Sequence, residues 1–364
     1  MRSGLFFLLV GLLSSSVANA CTGISLQAQD GTAIVGRTVE WALNDSEHHR
    51  LLIVPRGKSF VSQTPDGRPG KRWQGRHGFV SLTSYGQPYG PDGLNEQGLS
   101  VGMFYFPGFA SYAAYDPDSA DSTLSLGDFM QWMLSSFSTV EDVRRALPSV
   151  SVVNVDDPNF HGVPMPFHWK IADASGASIV VEITHHGDVN VFDAFRGVIT
   201  NSPAYDWHLT NLRNYLGLSP DAQNALSIDQ LELSPLGAGS GMIGLPGDFT
   251  PPARFVRAAA LTASVRPLAT AGEAVFEGFR ILDSFNIPLG AITPRDKMPT
   301  DIVGATQITS VSDLRNRRYY FTTMRNREVR MIDLQAIDFA NVREQMIDGD
   351  EGRINPVRAL TVAP

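Results

Sequence analysis

The sequence predicts a layered α+β fold, and three observations carry that prediction. Strand-length runs separated by turn signals fill residues 23–106, two amphipathic stripes of helical period occupy 126–147, and strand-length runs resume at Phe167. Strands first, then helices, then strands again is not the alternation of a parallel βαβ chain. The 364 residues, 43% of them hydrophobic, can bury a large core. No internal repeat, low-complexity tract or linker divides them, so one domain over 21–364 is expected.

Gly23 to Gln27 and Thr32 to Arg37 suit two strands, with Asp30-Gly31 as a hairpin turn between them. That pairing returns Arg37 and Glu40 to the neighbourhood of Cys21. Leu51 to Val54 reads as a strand, followed by a polar loop through Gly75. Phe79 to Ser84 and Leu99 to Phe106 read as further strands, the second entered through the turn Gly93-Leu94-Asn95-Glu96-Gln97-Gly98 and stopped by Pro107. Phe129, Trp132, Met133 and Phe137 form a helical stripe within 126–137, and Ser138 with Glu141 predicts a capped helix through Leu147. Phe167 to Ala172, Ala177 to Ile183 and Val189 to Phe192, separated by Ser175-Gly176 and Gly187-Asp188, predict an antiparallel meander. Asp206 to Leu216 has helical spacing. Thr250-Pro251 starts a helix with Arg254 in its first turn, and a second helix starts at Thr270. Strands are expected at Thr306 to Ser312, Tyr319 to Met324 and Val329 to Leu334.

A net charge of −8 without a basic run or stripe argues against nucleic acid or an anionic membrane surface as partner. Arg2, the apolar run Leu5 to Leu13 and Ala18-Asn19-Ala20 fit a signal peptide over 1–20, too short for a spanning helix. Export to the periplasm is expected, and no integral membrane segment after processing. Cys21 is the only cysteine, so no internal disulfide can form. Cleavage after Ala20 would place a thiol and a free α-amine on one residue. The thiol can then attack a carbonyl while the amine, titrating near pH ~7.7–8.0, shuttles the proton. Lipidation of Cys21 is the rival reading and would block that amine.

Other constellations carry less. An arginine near the thiol, as Arg37 is expected to be, favours the thiolate. Phe104, Tyr105 and Phe106 at a strand end could be core or could line an acyl pocket. Asn201, just before Ser202-Pro203, could aim an amide at an oxyanion or simply form a turn. The glycines of 237–247 lack a P-loop lysine, and no His-Glu-x-x-His or Gly-x-Ser-x-Gly pattern occurs. No cofactor or metal is therefore expected.

Taken together, Cys-Thr-Gly at 21–23, Gly-Arg-Thr-x-x-Trp at 36–41, Gly-Leu-Asn-Glu-x-Gly-Leu at 93–99 and Phe-Pro-Gly at 106–108 resemble the choloylglycine hydrolase family. Thr-Asn-Ser-Pro at 200–203, Leu-Pro-Gly-Asp-Phe-Thr-Pro at 245–251 and Arg-Phe-Val-Arg at 254–257 continue the resemblance in the family's order. It implies a four-layer αββα N-terminal nucleophile hydrolase, a homotetramer, cleaving a non-peptide C–N amide bond of a small acyl-amide substrate without a cofactor. Position by position it implies Cys21 as nucleophile with its amine as base, Arg37 beside the thiol, and Glu40 where the family has an aspartate orienting the amine. It likewise implies the Tyr105 N–H and the Asn201 amide as oxyanion donors and Arg254 as the second arginine. Glu40 adds a methylene, so its carboxylate must sit differently. Tyr105 resembles the penicillin V acylases, whereas bile-salt hydrolases carry asparagine there. With Trp41, Phe104 and Phe106 around it, the expected pocket favours a phenoxyacetyl or fatty-acyl group. The expectation is an exported penicillin V acylase-like amidase that also cleaves N-acyl homoserine lactones. A conjugated bile-salt hydrolase is the alternative, and a lipid-anchored or inactive acyl-ligand binding protein the alternative from another class.

Overall fold

The computed structural model describes residues 20–40, 49–83, 87, 89–156, 165–292, 305–350 and 357. Strands β1 (Thr22–Gln27) and β2 (Ala33–Val39) form the hairpin expected from Asp30-Gly31, with Gly23 opposite Arg37. Next come β3 (Leu51–Val54), the hairpin of β4 (Ser59–Gln63) and β5 (Pro69–Gln74), then β6 (Phe79–Leu82), β7 (Asp92–Asn95) and β8 (Ser100–Tyr105). The β4–β5 hairpin occupies the stretch read as loop. A short strand β9 (Thr123–Ser125) precedes helices α1 (Leu126–Ser136) and α2 (Val140–Ala146), and β9 pairs with β10 (Ser151–Val153). The cap of α2 is Thr139, one residue later than Ser138, and its side chain accepts from Asp142 N.

Strands β11 (Phe167–Ala172), β12 (Ser178–Thr184) and β13 (Asp188–Asp193) are the expected meander. Helix α3 (Tyr205–Asn211), the small hairpin of β14 (Leu226–Ile228) and β15 (Leu231–Leu233), and helices α4 (Pro251–Ala263) and α5 (Ala271–Asp283) follow. The last strands are β16 (Ile308–Asp313), β17 (Arg318–Thr323), β18 (Asn326–Asp333) and β19 (Gln345–Ile347).

Two sheets face each other. One has the order β1-β2-β16-β17-β18, the other β13-β12-β11-β8-β7-β6-β3-β19. Helices α4 and α5 cover the five-stranded sheet and α1 covers the eight-stranded one, giving the expected four layers. Alternation along β2 explains why both sheet faces are buried: Val35 and Val39 join the core between the sheets, whereas Ile34 joins the core beneath α4 and α5. Antiparallel pairing puts the start of β1, the end of β2 and the residues before β16 at the same end of the sandwich. Cys21, Glu40 and Thr306 therefore lie together.

Candidate active site

Gly23 decides where the site forms. Its N–H donates to Ile199 O at 2.8 Å and its carbonyl accepts from Ile199 N at 3.1 Å, an isolated bridge that lays Thr200-Asn201 beside Cys21. A Cβ on residue 23 would come within 2.7 Å of Ile199 Cγ2 and 2.8 Å of the Phe104 ring, so the two backbones can meet only at a glycine. Asn201 then makes bonds in three directions. Its Oδ1 accepts from Cys21 N at 2.8 Å and from Arg254 Nη2 at 2.7 Å, and its Nδ2 donates to Tyr105 O at 2.7 Å. Two donors on one atom fix the amide orientation. Among the described residues Nδ2 has Tyr105 O as its one acceptor.

Arg254, in the first turn of α4, also donates through Nη1 to the Cys21 carbonyl and, at 2.9 Å, to Thr22 Oγ1. The residue bearing the thiol is thus held by both its nitrogen and its carbonyl. Arg37 projects from β2 between the sheets and donates through Nη1 to Pro91 O and, at 2.6 Å, to Met103 O. Its guanidinium carbon sits 4.1 Å above the Phe104 ring, and its Nη2 is buried without a hydrogen-bond partner. Cys21, Arg37, Met103, Tyr105, Tyr89 and Phe167 are among the walls of a largely apolar cleft.

Pairing also settles where Tyr105 presents its backbone. Phe106 N donates to Pro166 O at 2.7 Å, so Tyr105 and Phe167 are a non-hydrogen-bonded pair of the β8–β11 ladder. The Tyr105 N–H and carbonyl consequently point away from β11, on the side where Asn201 binds that carbonyl.

Phe104 and Phe106 do not line the cleft. Phe104 turns between the sheets over Arg37, and Phe106 stacks on His168 with centroids 4.3 Å apart. The period of two along β8 carries Met103 and Tyr105 into the cleft wall and sends the intervening ring the other way. Trp41 lies outside the described residues. Tyr89, Met103, Met165 and Phe167 are wall residues that sequence reasoning missed. Strict alternation along Leu99 to Phe106 is a signal that separates Met103 and Tyr105 from Phe104.

Glu40 is placed near the nucleophile, but its carboxylate is taken by hydroxyls. Thr306 Oγ1 donates to Oε1 at 2.6 Å and Thr38 Oγ1 to Oε2 at 3.1 Å. The acceptor on the Cys21 nitrogen is Asn201 Oδ1. Burial pushes the Glu40 carboxyl up to about 7, against Thr306, Arg254, Thr38 and Arg37, which favour the charged form. Burial also pushes the Cys21 thiol up; Arg37 opposes this, the Glu40 charge adds to it, and the Glu40 N–H and Arg254 oppose it. Burial drives Arg254 down to about 10, against Glu40 and Cys21, which favour its charged form.

The raised Glu40 carboxyl has a stability signature. Between its unfolded value near 4.5 and its folded value near 7 the native state binds more protons than the unfolded state, so stability falls as pH rises. Glu40→Gln is expected to flatten that slope. Thermal midpoints of both proteins from pH 4.5 to 7.5 check this, and equal slopes would contradict it.

The sequence profile described as linear amide C–N hydrolases, choloylglycine hydrolase family, matches residues 21–348, beginning at Cys21. A bile salt hydrolase/transferase from Clostridium perfringens is 32% identical over 91% of this chain and 95% of its own length. A crystal structure of conjugated bile acid hydrolase from the same species superposes with a TM-score of 0.78 at 28% identity, covering 94% of this chain and all of that one. A penicillin V acylase from Pectobacterium atrosepticum is 25% identical over 90% of this chain and 84% of its own length. The chain belongs to the choloylglycine hydrolase family and is a hydrolase of non-peptide C–N bonds on an N-terminal nucleophile hydrolase-type α+β fold.

Proposed function

We propose that export and cleavage after Ala20 free the Cys21 amine, and that the mature protein hydrolyses conjugated bile salts through a Cys21 thioester. The observation that carries the mechanism is the Cys21 nitrogen on Asn201 Oδ1 at 2.8 Å, with the residue lining an apolar cleft. An amine N–H can make the same bond, which supports the amine as the base. In the first half-reaction the amine takes the Cys21 thiol proton as Sγ bonds to the substrate carbonyl carbon, and the Asn201 Nδ2–H and Tyr105 N–H receive the oxyanion. Collapse breaks the C–N bond as the amine protonates the leaving nitrogen. Water, deprotonated by the same amine, then attacks the thioester and the C–S bond breaks. Arg37 favours the thiolate, and Arg254 holds Asn201 and the Cys21 carbonyl in place.

The bile-salt substrate is supported by the Clostridium perfringens relative, which is more similar and more fully covered than the penicillin V acylase. This order reverses the one taken from Tyr105 alone. Phenoxymethylpenicillin remains the second reading because Tyr89, Tyr105 and Phe167 give the cleft an aromatic wall. Initial rates on glycocholate, phenoxymethylpenicillin and a long-chain N-acyl homoserine lactone test the choice. Glycocholate is expected to lead; a clear lead for phenoxymethylpenicillin would make the aromatic wall the specificity determinant.

Export to the periplasm rests on the 1–20 pattern, and no helix among the described residues is long and apolar enough to cross a membrane. A homotetramer would give the β14–β15 hairpin a partner. Leu226, Ile228, Leu231 and Leu236 are all more than half exposed there, an apolar surface suited to a second copy. Leu231→Glu is expected to yield smaller species by light scattering, and an unchanged tetramer would remove the hairpin from the interface.

A further inference from the structure

We infer that His168 is a positioning residue that fixes both oxyanion donors at once, with Glu182 orienting its ring. The inference rests on the reading of Asn201 and Tyr105 as those donors. His168 on β11 stands opposite Phe104 on β8, and Glu182 on β12 continues the row on the face between the sheets. His168 and Glu182 are each 1% exposed, so their polar atoms need partners. Every partner leads to the oxyanion site.

Toward Asn201, His168 Nε2 lies 3.1 Å from Thr200 O. A carbonyl only accepts, so Nε2 carries hydrogen and donates, fixing the peptide from which Asn201 projects. Nδ1 lies 3.1 Å from Glu182 Oε1, so both ring nitrogens are engaged. Toward Tyr105, the same ring lies flat on Phe106, 4.3 Å between centroids and 3° between planes. Its relation to Phe104 is edge-on at 6.2 Å and 83°. The two residues flanking Tyr105 are thereby packed on one imidazole. Glu182 Oε1 also accepts from Tyr205 N at 3.0 Å at the start of α3, and α3 carries His208, whose Nε2 lies 3.0 Å from Asn201 O. The network thus meets Asn201 from two sides. It reaches the cleft only through Asn201 and the Phe104–Phe106 backbone.

Three measurements separate positioning from packing. His168→Gln should lower kcat by about 10-fold or more with KM within about twofold, the pattern of misplaced oxyanion donors. The pH profile of Cys21 alkylation by iodoacetamide, which forms no oxyanion, should not move. In an Asn201→Ala background, itself slower by ~10²–10³, His168→Gln should cost less than it does in the wild type, because only its hold on Tyr105 is left to lose. Glu182 provides a second test through the same ring. Its Oε1 meets both His168 Nδ1 and Tyr205 N, so a Gln offers that one position either an oxygen for Tyr205 N or a nitrogen for Nδ1, and Glu182→Gln should lose about 10-fold or more of kcat, as Glu182→Ala should. It also decides the case if His168→Gln does not fold. An equal cost of His168→Gln in both backgrounds, slowed alkylation, or a folded Glu182→Gln at wild-type kcat would each overturn the inference. Asn201→Ala at wild-type kcat would overturn the oxyanion reading itself, a different result from an impaired Asn201→Ala beside a harmless His168→Gln.

Discussion

Cys21→Ala should reduce turnover by at least ~10⁴-fold while leaving the protein folded. Among the described residues the thiol is a nucleophile that the geometry places on the cleft with its own nitrogen anchored, and no other cysteine exists in the sequence to replace it. Removing one sulfur from a small buried side chain leaves the hydrogen bonds of the Cys21 backbone to Asn201 and Arg254 in place. A thermal midpoint within a few degrees of wild type, with rates measured on glycocholate and phenoxymethylpenicillin, checks both halves. A folded Cys21→Ala protein that turns over normally would remove Cys21 from the reaction.

A chain that keeps a single residue before Cys21 should be nearly as inactive. An amide nitrogen has no basic lone pair, yet its N–H still donates to Asn201 Oδ1, as it does with Ala20 attached. Such a protein should keep its thiol, its fold and its iodoacetamide reactivity while losing the proton shuttle. Comparison of intact mass with rate makes the test. Full activity with the extra residue retained would take the amine out of the mechanism, and a diacylglyceryl mass on Cys21 would favour the lipid-anchored alternative.

Residues near one another in sequence were the most legible. Asp30-Gly31 sets the β1–β2 turn, and with it the register that places Arg37 opposite Gly23 beside Cys21. Helix starts at Thr250-Pro251 and Thr270 are written in capping chemistry and agree with α4 and α5. Glu40 is only half legible. Thr38 is two residues away, but Thr306 binds the same carboxylate across 266 positions and no local pattern announces it.

Phe104 and Phe106 mislead for a physical reason. The eight-stranded sheet is covered on both faces, so Leu99 to Phe106 is apolar on both sides and hydropathy alone does not say which rings face the cleft. The β4–β5 hairpin is hidden by the opposite problem, since Ser59 to Gln63 alternates exposed and buried residues within a polar, Gly/Pro-bearing stretch. Substrate choice is the least legible property of all. Tyr89, Met165 and Phe167 come from segments whose meeting depends on the whole fold.

The proposed reaction runs through a thioester on the N-terminal cysteine, which acid-quenched intact mass with peptide mapping detects. During turnover an acyl adduct, substrate acyl group minus one hydrogen, is expected on a peptide that begins at Cys21 and loses the adduct to hydroxylamine. Turnover with Cys21 unmodified under conditions where acylation outpaces hydrolysis, or an active protein whose chain begins before Cys21, would contradict it.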